Sequence, residues 1–476
     1  MKIFVLQCGK ASLQFQLIAL DNAAAELLAS GRVEKIGTDH AVLSYVRRNA
    51  PPWHHVAALQ NHDAALQVVL QALTDNTAGV LQELGEIEAV GHLVVHGGEQ
   101  FAEAVLVTPE VVRAIDGYAE FAPLHNPFNL QGIAACAKWL PHVAQVAVFD
   151  TAFHAHLPEH AFLYALPYEV YEELHVRRYG FHGVSHRYVA QQAAKLLHRD
   201  GADFKAITCH LDQFDKGASI AAVQNGASVD TSMGLTPLEG PLMGTRCGNI
   251  DPAIVPYLME KEHFSSLEID ALLNQASGLK GISRMTSDMQ EIEEEAAAGE
   301  ELHQLALEMF CYQVKKYIGG YVAVLGGVDA LVFTASIGEN SPTVRRKICD
   351  GLACFGIILD EAQNQQSATV ISAGPTPVLV IPTQEALAIA QETYRIIAAQ
   401  REQSRAAQAA VQIQDALDTL TDADKAQIVL LWSRHQELPA AQLFALAQRE
   451  LRLPIDSNAF ETLLTRMGIA QHFSHE

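Results

Sequence analysis

No Gly-x-x-x-x-Gly-Lys-Ser/Thr loop occurs in the 476 residues, which excludes the strand–turn–helix phosphate cradle of P-loop enzymes. The seven cysteines (Cys8, Cys136, Cys209, Cys247, Cys311, Cys349, Cys354) form no Cys-x-x-Cys pair and no His/Cys cluster. Such an odd, scattered set argues against a disulfide frame or a zinc site and for reduced thiols in a cytosol. No apolar run reaches the roughly 18 residues of a membrane span. The N-terminal MKIFVLQCGKASLQFQLIAL is too interrupted for a signal peptide. The expectation is a cytoplasmic protein with no membrane partner. Basic residues are also scarce, since 32 Lys and Arg against 55 Asp and Glu leave a net charge of −23. A nucleic-acid partner needs a basic face, so none is expected. A small anionic metabolite needs only a few local cations and stays allowed.

What is present is a well-mixed globular composition, with 49% hydrophobic and 18% charged residues. At ~150 residues per domain, the length suggests about three domains. Met1–Leu6 reads as a buried strand, Gly9 permits a tight turn, and Leu13–Leu17 alternates as a second strand, so the chain opens on a hairpin. Further apolar strands follow at Glu88–Val95, Gln145–Phe149, Ala206–Leu211, Ile220–Val223, Ala330–Thr334 and Pro377–Ile381. MKIFVLQCGKASLQFQLI and AITCHLDQFDKGASIAAV share one pattern of strand, polar turn and strand. That echo suggests duplicated α/β halves, although any mixed α/β chain with several hairpins shows something similar. Glu291–Glu295 reads as a solvated helix start, because carboxylates in a first turn suit the helix dipole.

From about Arg401 the texture becomes rich in Ala, Gln and Leu. Thr421-Asp422-Ala423-Asp424 reads as the capped start of a helix carrying Ile428, Leu431, Trp432 and His435. Pro439 opens a further helix, Pro454 breaks it, and Ser457 is expected to cap the last one. This predicts a small helical bundle that packs on the main body, on a dimer partner or on another protein. A helix-turn-helix reading of Pro439–Arg466 is disfavoured by its few basic residues.

Polar residues at strand C-terminal ends are where α/β folds place chemistry. Here they include Asp150, Glu385 and the Gly338 turn, joined by His125-Asn126-Pro127, YGFHG at 179–183 and GTRCG at 244–248. With VVHGGE at 94–99, VFDTAFH at 148–154, RRYGFHGVSH at 177–186, TSMGLTPLEG at 231–240, MGTRCGNIDPAIVP at 243–256, SIGENS at 336–341 and VIPTQEALAIA at 380–390, the chain resembles the acetokinase family of acetate, propionate and butyrate kinases. The likeness covers about residues 1–400. It implies the α/β fold of the acetokinase, sugar kinase, Hsc70 and actin superfamily (ribonuclease H-like), with two duplicated domains. These would be residues 1–150, completed by a helix at 386–402, and residues 151–385 on the nucleotide side; 403–476 would be a helical extension.

The resemblance implies in-line transfer of the γ-phosphoryl group of ATP to a short-chain carboxylate, with Mg²⁺ and ATP/ADP as cofactors and a homodimer as the assembly. By it, His182 and Arg246 would stabilise the transferring group. Asp150 would position the acid and organise the metal, with Glu385 and Gln7 in the metal shell. Leu93, His125 and Pro237 would fall at the carboxylate pocket. Lys10, Ser12, Gln14, His210, Gln213, Gly217, Asp288, Gln290, Ser336, Gly338, Glu339 and Asn340 would fall along the nucleotide and its phosphates.

The departures from the family pattern gather at working positions. Gln7 stands for an Asn, Gln14 for a phosphate-binding Lys, Leu93 for a substrate-clamping Arg, and Gln290 for an Arg of the nucleotide site. Met289 stands for an aromatic, Ser336 for a Gly and Phe128 for a Pro. Lys10 is a new cation in the first loop. The second phosphate loop, His210–Ser219, is three residues longer and gains Asp212 and Asp215, whose carboxylates would repel a phosphate. An apolar side chain cannot replace a bidentate cation. Two readings follow: a phosphotransferase altered in acid or donor, or a non-catalytic relative that regulates or scaffolds, with residues 403–476 binding a protein partner.

Overall fold

The computed structural model describes residues 1–21, 24–48, 50–199, 203–213, 217–436, 438–453 and 455–467. Phe214, Asp215 and Lys216 of the second loop, and Pro454, lie outside the described residues. Among those described, thirteen strands form two sheets. The first has the order β5-β4-β3-β2-β1-β6-β8-β7. Its strands are β1 (Lys2–Gly9), β2 (Ser12–Asp21), β3 (Ala24–Glu34), β4 (Thr38–Arg47), β5 (Trp53–Leu59), β6 (Ala89–Val94), β7 (Val105–Leu106) and β8 (Ala144–Phe149). The second, ordered β11-β10-β9-β12-β13, contains β9 (Lys205–Leu211), β10 (Ala218–Gln224), β11 (Ala227–Thr231), β12 (Ala330–Thr334) and β13 (Val378–Val380).

The echo in the sequence is a structural repeat. From β1 the sheet steps antiparallel to β2 and β3 on one side, and parallel to β6 and β8 on the other. From β9 it steps antiparallel to β10 and β11, and parallel to β12 and β13. Each sheet packs its own core. Phe4, Leu6, Leu13, Phe15 and Leu17 are buried with Leu66, Val69 and Leu70 of the helix His62–Leu73. Ile207, Ile220 and Phe333 are buried with Phe310, Val314 and Ile318 of the helix Glu301–Leu325. At ~25 cal/mol per Å² of apolar surface, these runs supply most of the drive to fold.

Contacts divide the chain at Met1–Ile396 and Ile397–Glu476. A helix, Glu385–Asp418, is continuous across that division, and helices Asp422–Arg434, Ala440–Leu451 and Ser457–Arg466 follow. Thr421 and Asp424 form the expected capping box, in which each side chain accepts the other's backbone N–H. The last helix corrects the sequence reading. Asp456 is its cap, accepting the Ala459 N–H at 2.8 Å, and Ser457 is the first helical residue. The C-terminal unit buries Ile428, Leu431, Leu443, Phe460, Leu463 and Leu464 against one another.

No described helix is long and apolar enough to cross a membrane. All seven cysteines are free thiols: five are buried, Cys247 is half-buried and Cys354 is exposed. Burial pushes the thiols of Cys8, Cys311 and Cys349 up to about 12.

Candidate active site

Strand β8 ends at Phe149, and Asp150 follows it, buried. The helix Gly183–Leu196 begins against it. His182, at φ 56°, sits in the left-handed region that β-carbon residues seldom adopt and that recurs at functional sites. The cost is offset by the contacts it permits. The His182 N–H donates to Asp150 Oδ2 at 2.8 Å, Val184 N–H to Oδ1 at 3.4 Å, and Gly183 N–H to the Asp150 carbonyl at 2.9 Å. A Cβ on Gly183 would lie 2.3 Å from that carbonyl oxygen, so only glycine lets the helix start there. The carboxylate is thus fixed at a helix N-terminus, where backbone N–H groups favour negative charge.

A chain of hydroxyls and imidazoles lies behind it. His182 Nδ1 meets Ser219 Oγ at 2.7 Å, and Ser219 Oγ meets His186 Nε2 at 2.8 Å. His186 Nδ1 meets Thr208 Oγ1 at 2.7 Å. A hydroxyl has one proton to give, so Ser219 donates to one ring and accepts from the other. Burial, followed by the neighbouring imidazoles of His154, His210 and His182, holds His186 well below the usual histidine range. A neutral His186 can accept the Ser219 O–H at Nε2 and donate its own Nδ1–H to Thr208, which leaves Ser219 Oγ to accept from His182. The His182 ring stacks on His210, with centroids 4.1 Å apart. His210 in turn meets Ser185, and Ser185 meets Thr383, at 2.8 and 2.9 Å.

The other half of the site hangs on Glu339. Its Oε1 accepts the backbone N–H groups of Ala335 and Thr383, both at 2.9 Å, which ties the start of the short helix Ala335–Asn340 to the segment before Glu385. Burial raises the Glu339 carboxyl, and the Asp212 charge adds to the shift. The stretch read from sequence as the Gly338 turn is this helix. Glu385 opens the helix Glu385–Asp418 and accepts from Gln7 Nε2 at 3.3 Å. Gln7 and Gln14 face each other across β1 and β2, with Ser12 nearer the turn. Lys10 is exposed at that turn.

Arg246 donates to the Pro237 carbonyl at 3.3 Å, and a Cβ on Gly217 would lie 3.0 Å from its guanidinium. Of the second loop's two added carboxylates, Asp212 lies among the described residues and bonds to neighbouring donors. Asp212 Oδ1 accepts the Gln213 N–H at 2.8 Å and the Ser336 hydroxyl, while Ser336 Oγ also accepts from the Gln213 N–H at 3.0 Å. Gln213 Nε2 donates to Asp288 at 2.7 Å, and Asp288 caps the helix Met289–Ala298. The structure therefore joins Asp212, Gln213, Ser336 and Asp288 directly. Gln290 and Asn340 instead bond within their own helices, to Glu294 and to the Ser336 carbonyl. Gly338 gives its carbonyl to the buried Arg345 at 2.9 Å. Leu93 lies half-buried on β6, and His125 precedes the helix Asn126–Trp139. Sequence reasoning missed Ser219, His186, Ser185, Thr208 and Thr383. The available signals were Ser185 and His186 inside RRYGFHGVSH, with His186 one helical turn after His182, and Thr383 inside VIPTQEALAIA.

A model of the acetokinase family matches residues 2–391 of this chain. The chain belongs to that family. It is 50% identical over 401 residues to the acetate kinase of Alkaliphilus metalliredigens, covering 83% of this chain and all of that one. The acetate kinase of Methanosarcina thermophila is 49% identical over 402 residues, 83% of this chain and 97% of the relative. Among solved structures, Porphyromonas gingivalis acetate kinase matches with a TM-score of 0.78 at 42% identity, over 83% of this chain and 99% of that one. A propionate kinase from Francisella tularensis matches with a TM-score of 0.78 at 39% identity, over the same shares. The acetokinase-family match ends at residue 391, within the helix Glu385–Asp418.

Proposed function

We propose that this acetokinase-family chain transfers a phosphoryl group between a nucleotide and a short-chain carboxylate, giving an acyl phosphate and ADP in the forward direction. One observation carries the reading: the Asp150 carboxylate is fixed by His182 and Val184 N–H groups while the His182 ring is oriented through Ser219. Phosphoryl transfer asks for alignment and for cations around the planar group, with little covalent help. A carboxylate oxygen attacks the γ-phosphorus, the bond to the bridging oxygen breaks, and no proton need move. In this reading His182 and Arg246 act on the equatorial oxygens, and Pro237 holds the Arg246 guanidinium on the acid side.

Mg²⁺ binds through one or two carboxylates, waters and substrate phosphates rather than a full protein cage. The donor set here suits that. No group of three metal-ligating side chains occurs among the described residues, while Asp150 and Glu385 offer carboxylates and Gln7 an amide oxygen. Those residues would hold the ion, which would neutralise phosphate charge. Lys10, Ser12, Gln14, His210, Gln213 and Gly217 would line the phosphates; Asp288, Gln290, Ser336, Gly338, Glu339 and Asn340 would lie toward the nucleoside. Leu93 and His125 would face the acid. The chain would divide at 1–150 with 386–402, 151–385 and 403–476, form a cytoplasmic homodimer, and use its extension to bind a protein partner.

A second reading, a non-catalytic regulator, is favoured by Asp212 occupying the Gln213 N–H and the Ser336 hydroxyl. Trapping of acyl phosphate as hydroxamate, with acetate, propionate and butyrate each offered ATP–Mg²⁺ or pyrophosphate, separates the two. Turnover that falls about 10²–10³-fold in His182→Ala supports transfer. No product with any pair favours the regulator. If Leu93 is why the acid binds weakly, Leu93→Arg lowers the KM for acetate about tenfold or more.

A further inference from the structure

Arg32 lies directly across from Gln14 in the β2–β3 register, and Gln14 lies directly across from Gln7 in β1–β2. Directly opposed residues share a face, so the three side chains form one row across the sheet. The alternate residues show which face it is. Leu13, Phe15 and Val33 are buried in the core, and a Cβ on Gly31 would strike the Phe15 ring at 2.5 Å. Arg32 and Gln14 therefore stand on the side away from that core. Gln7 marks where the row leads, because its amide reaches the Glu385 carboxylate.

We propose that Arg32 is the phosphate-binding cation of this face, transposed by one strand from position 14. The proposal rests on the function proposed above, in which the β1–β2 hairpin meets the nucleotide phosphates. Neighbouring strands lie ≈ 4.8 Å apart, and an arginine side chain extends farther than that, so a guanidinium rooted on β3 can cover the place of an ammonium rooted on β2. Its present partner does not hold it firmly. Arg32 meets Glu34 at 3.2 Å, both about half-exposed (47% each), and exposed pairs of this kind are weak. A phosphate, with more charge and a bidentate geometry suited to guanidinium, displaces such a partner. The transposition also accounts for Gln14: a lysine there would face Arg32 as a like charge directly across the ladder, which destabilises a strand pair.

The test is a double-mutant cycle in the full chain. Arg32→Leu is expected to weaken ATP–Mg²⁺ binding about tenfold or more by calorimetry, and tripolyphosphate binding similarly, since the contact is to phosphate. The KM for the carboxylate and the melting temperature stay as in the parent. Adding Gln14→Lys to Arg32→Leu restores binding to within about threefold, whereas Gln14→Lys alone adds little. Unchanged binding in Arg32→Leu overturns the proposal, as does a loss that Gln14→Lys fails to restore in a chain of unchanged melting temperature. The two proposals fail separately. Acyl phosphate made equally well by parent and Arg32→Leu, with equal nucleotide affinity, rejects the role of Arg32 alone. No acyl phosphate from the parent, with the tenfold binding loss intact, rejects the phosphotransfer reading alone. A parent that binds neither ATP–Mg²⁺ nor tripolyphosphate overturns both.

Discussion

The backbone N–H of His182 donates to the side chain of Asp150 at 2.8 Å, joining the end of one strand to the start of one helix. The bond needs an acceptor at Oδ2. Asp150→Asn keeps the shape but replaces one acceptor oxygen with a donor and removes the charge. Acyl-phosphate formation is expected to fall about 10²-fold or more, with little change in melting temperature, measured by hydroxamate trapping and thermal unfolding.

Gly183 makes that junction possible. Gly183→Ala places a methyl 2.3 Å from the Asp150 carbonyl and 2.9 Å from the Phe153 side chain. Because one contact is backbone, the helix start must shift. A stability loss of about 1–3 kcal/mol is expected in denaturant unfolding, together with loss of activity. Unchanged values for both would contradict the account of the helix start.

Asp212 offers a gain rather than a loss. Its carboxylate occupies the Gln213 N–H and the Ser336 hydroxyl, donors that in the proposed function would face a phosphate, and adds a negative charge beside them. Asp212→Gly removes both obstacles, so ATP–Mg²⁺ affinity should rise about three- to tenfold by calorimetry, with a smaller rise for Asp212→Asn. A weaker affinity in both would show that Asp212 helps nucleotide bind.

Acid should unfold the protein early. Burial lowers His92, His96 and His154 to about 4 from an ordinary value of 6.5. The unfolded chain therefore binds more protons between those values, and stability falls as pH drops through that window. The contribution is complete above about pH 6.5 and is lost as pH falls through 4. Melting temperatures should decline steeply from pH 6.5 to 4.5, and less steeply in His92→Leu, where one buried imidazole no longer has to charge.

The sequence carried the repeat openly, because Met1–Leu17 and Ala206–Val223 each announce strand, turn and strand through apolar runs broken by glycine. It hid β3 and β5. AAELLASGRVE has the Ala, Glu and Leu content of a helix, yet ten of its residues pair with β2, so tertiary pairing overrides local preference. Ser457 lost the cap to Asp456 because adjacent residues of capping type compete for one geometry, and Asp456 is the extended one, with ψ 179°. Asp150, His182, Arg246 and Glu385 were legible as motif residues. Ser219 was not, since its role comes from β10, 37 positions from His182, and local pattern holds no record of that approach.

The distribution of thiols makes the chain ready for single-site chemistry. A thiolate is the reactive form, and burial keeps Cys8, Cys311 and Cys349 protonated at neutral pH. Cys354 alone among the seven is exposed. A maleimide dye or spin label therefore goes first to one position, beside the second sheet's helices, without any cysteine having to be engineered away.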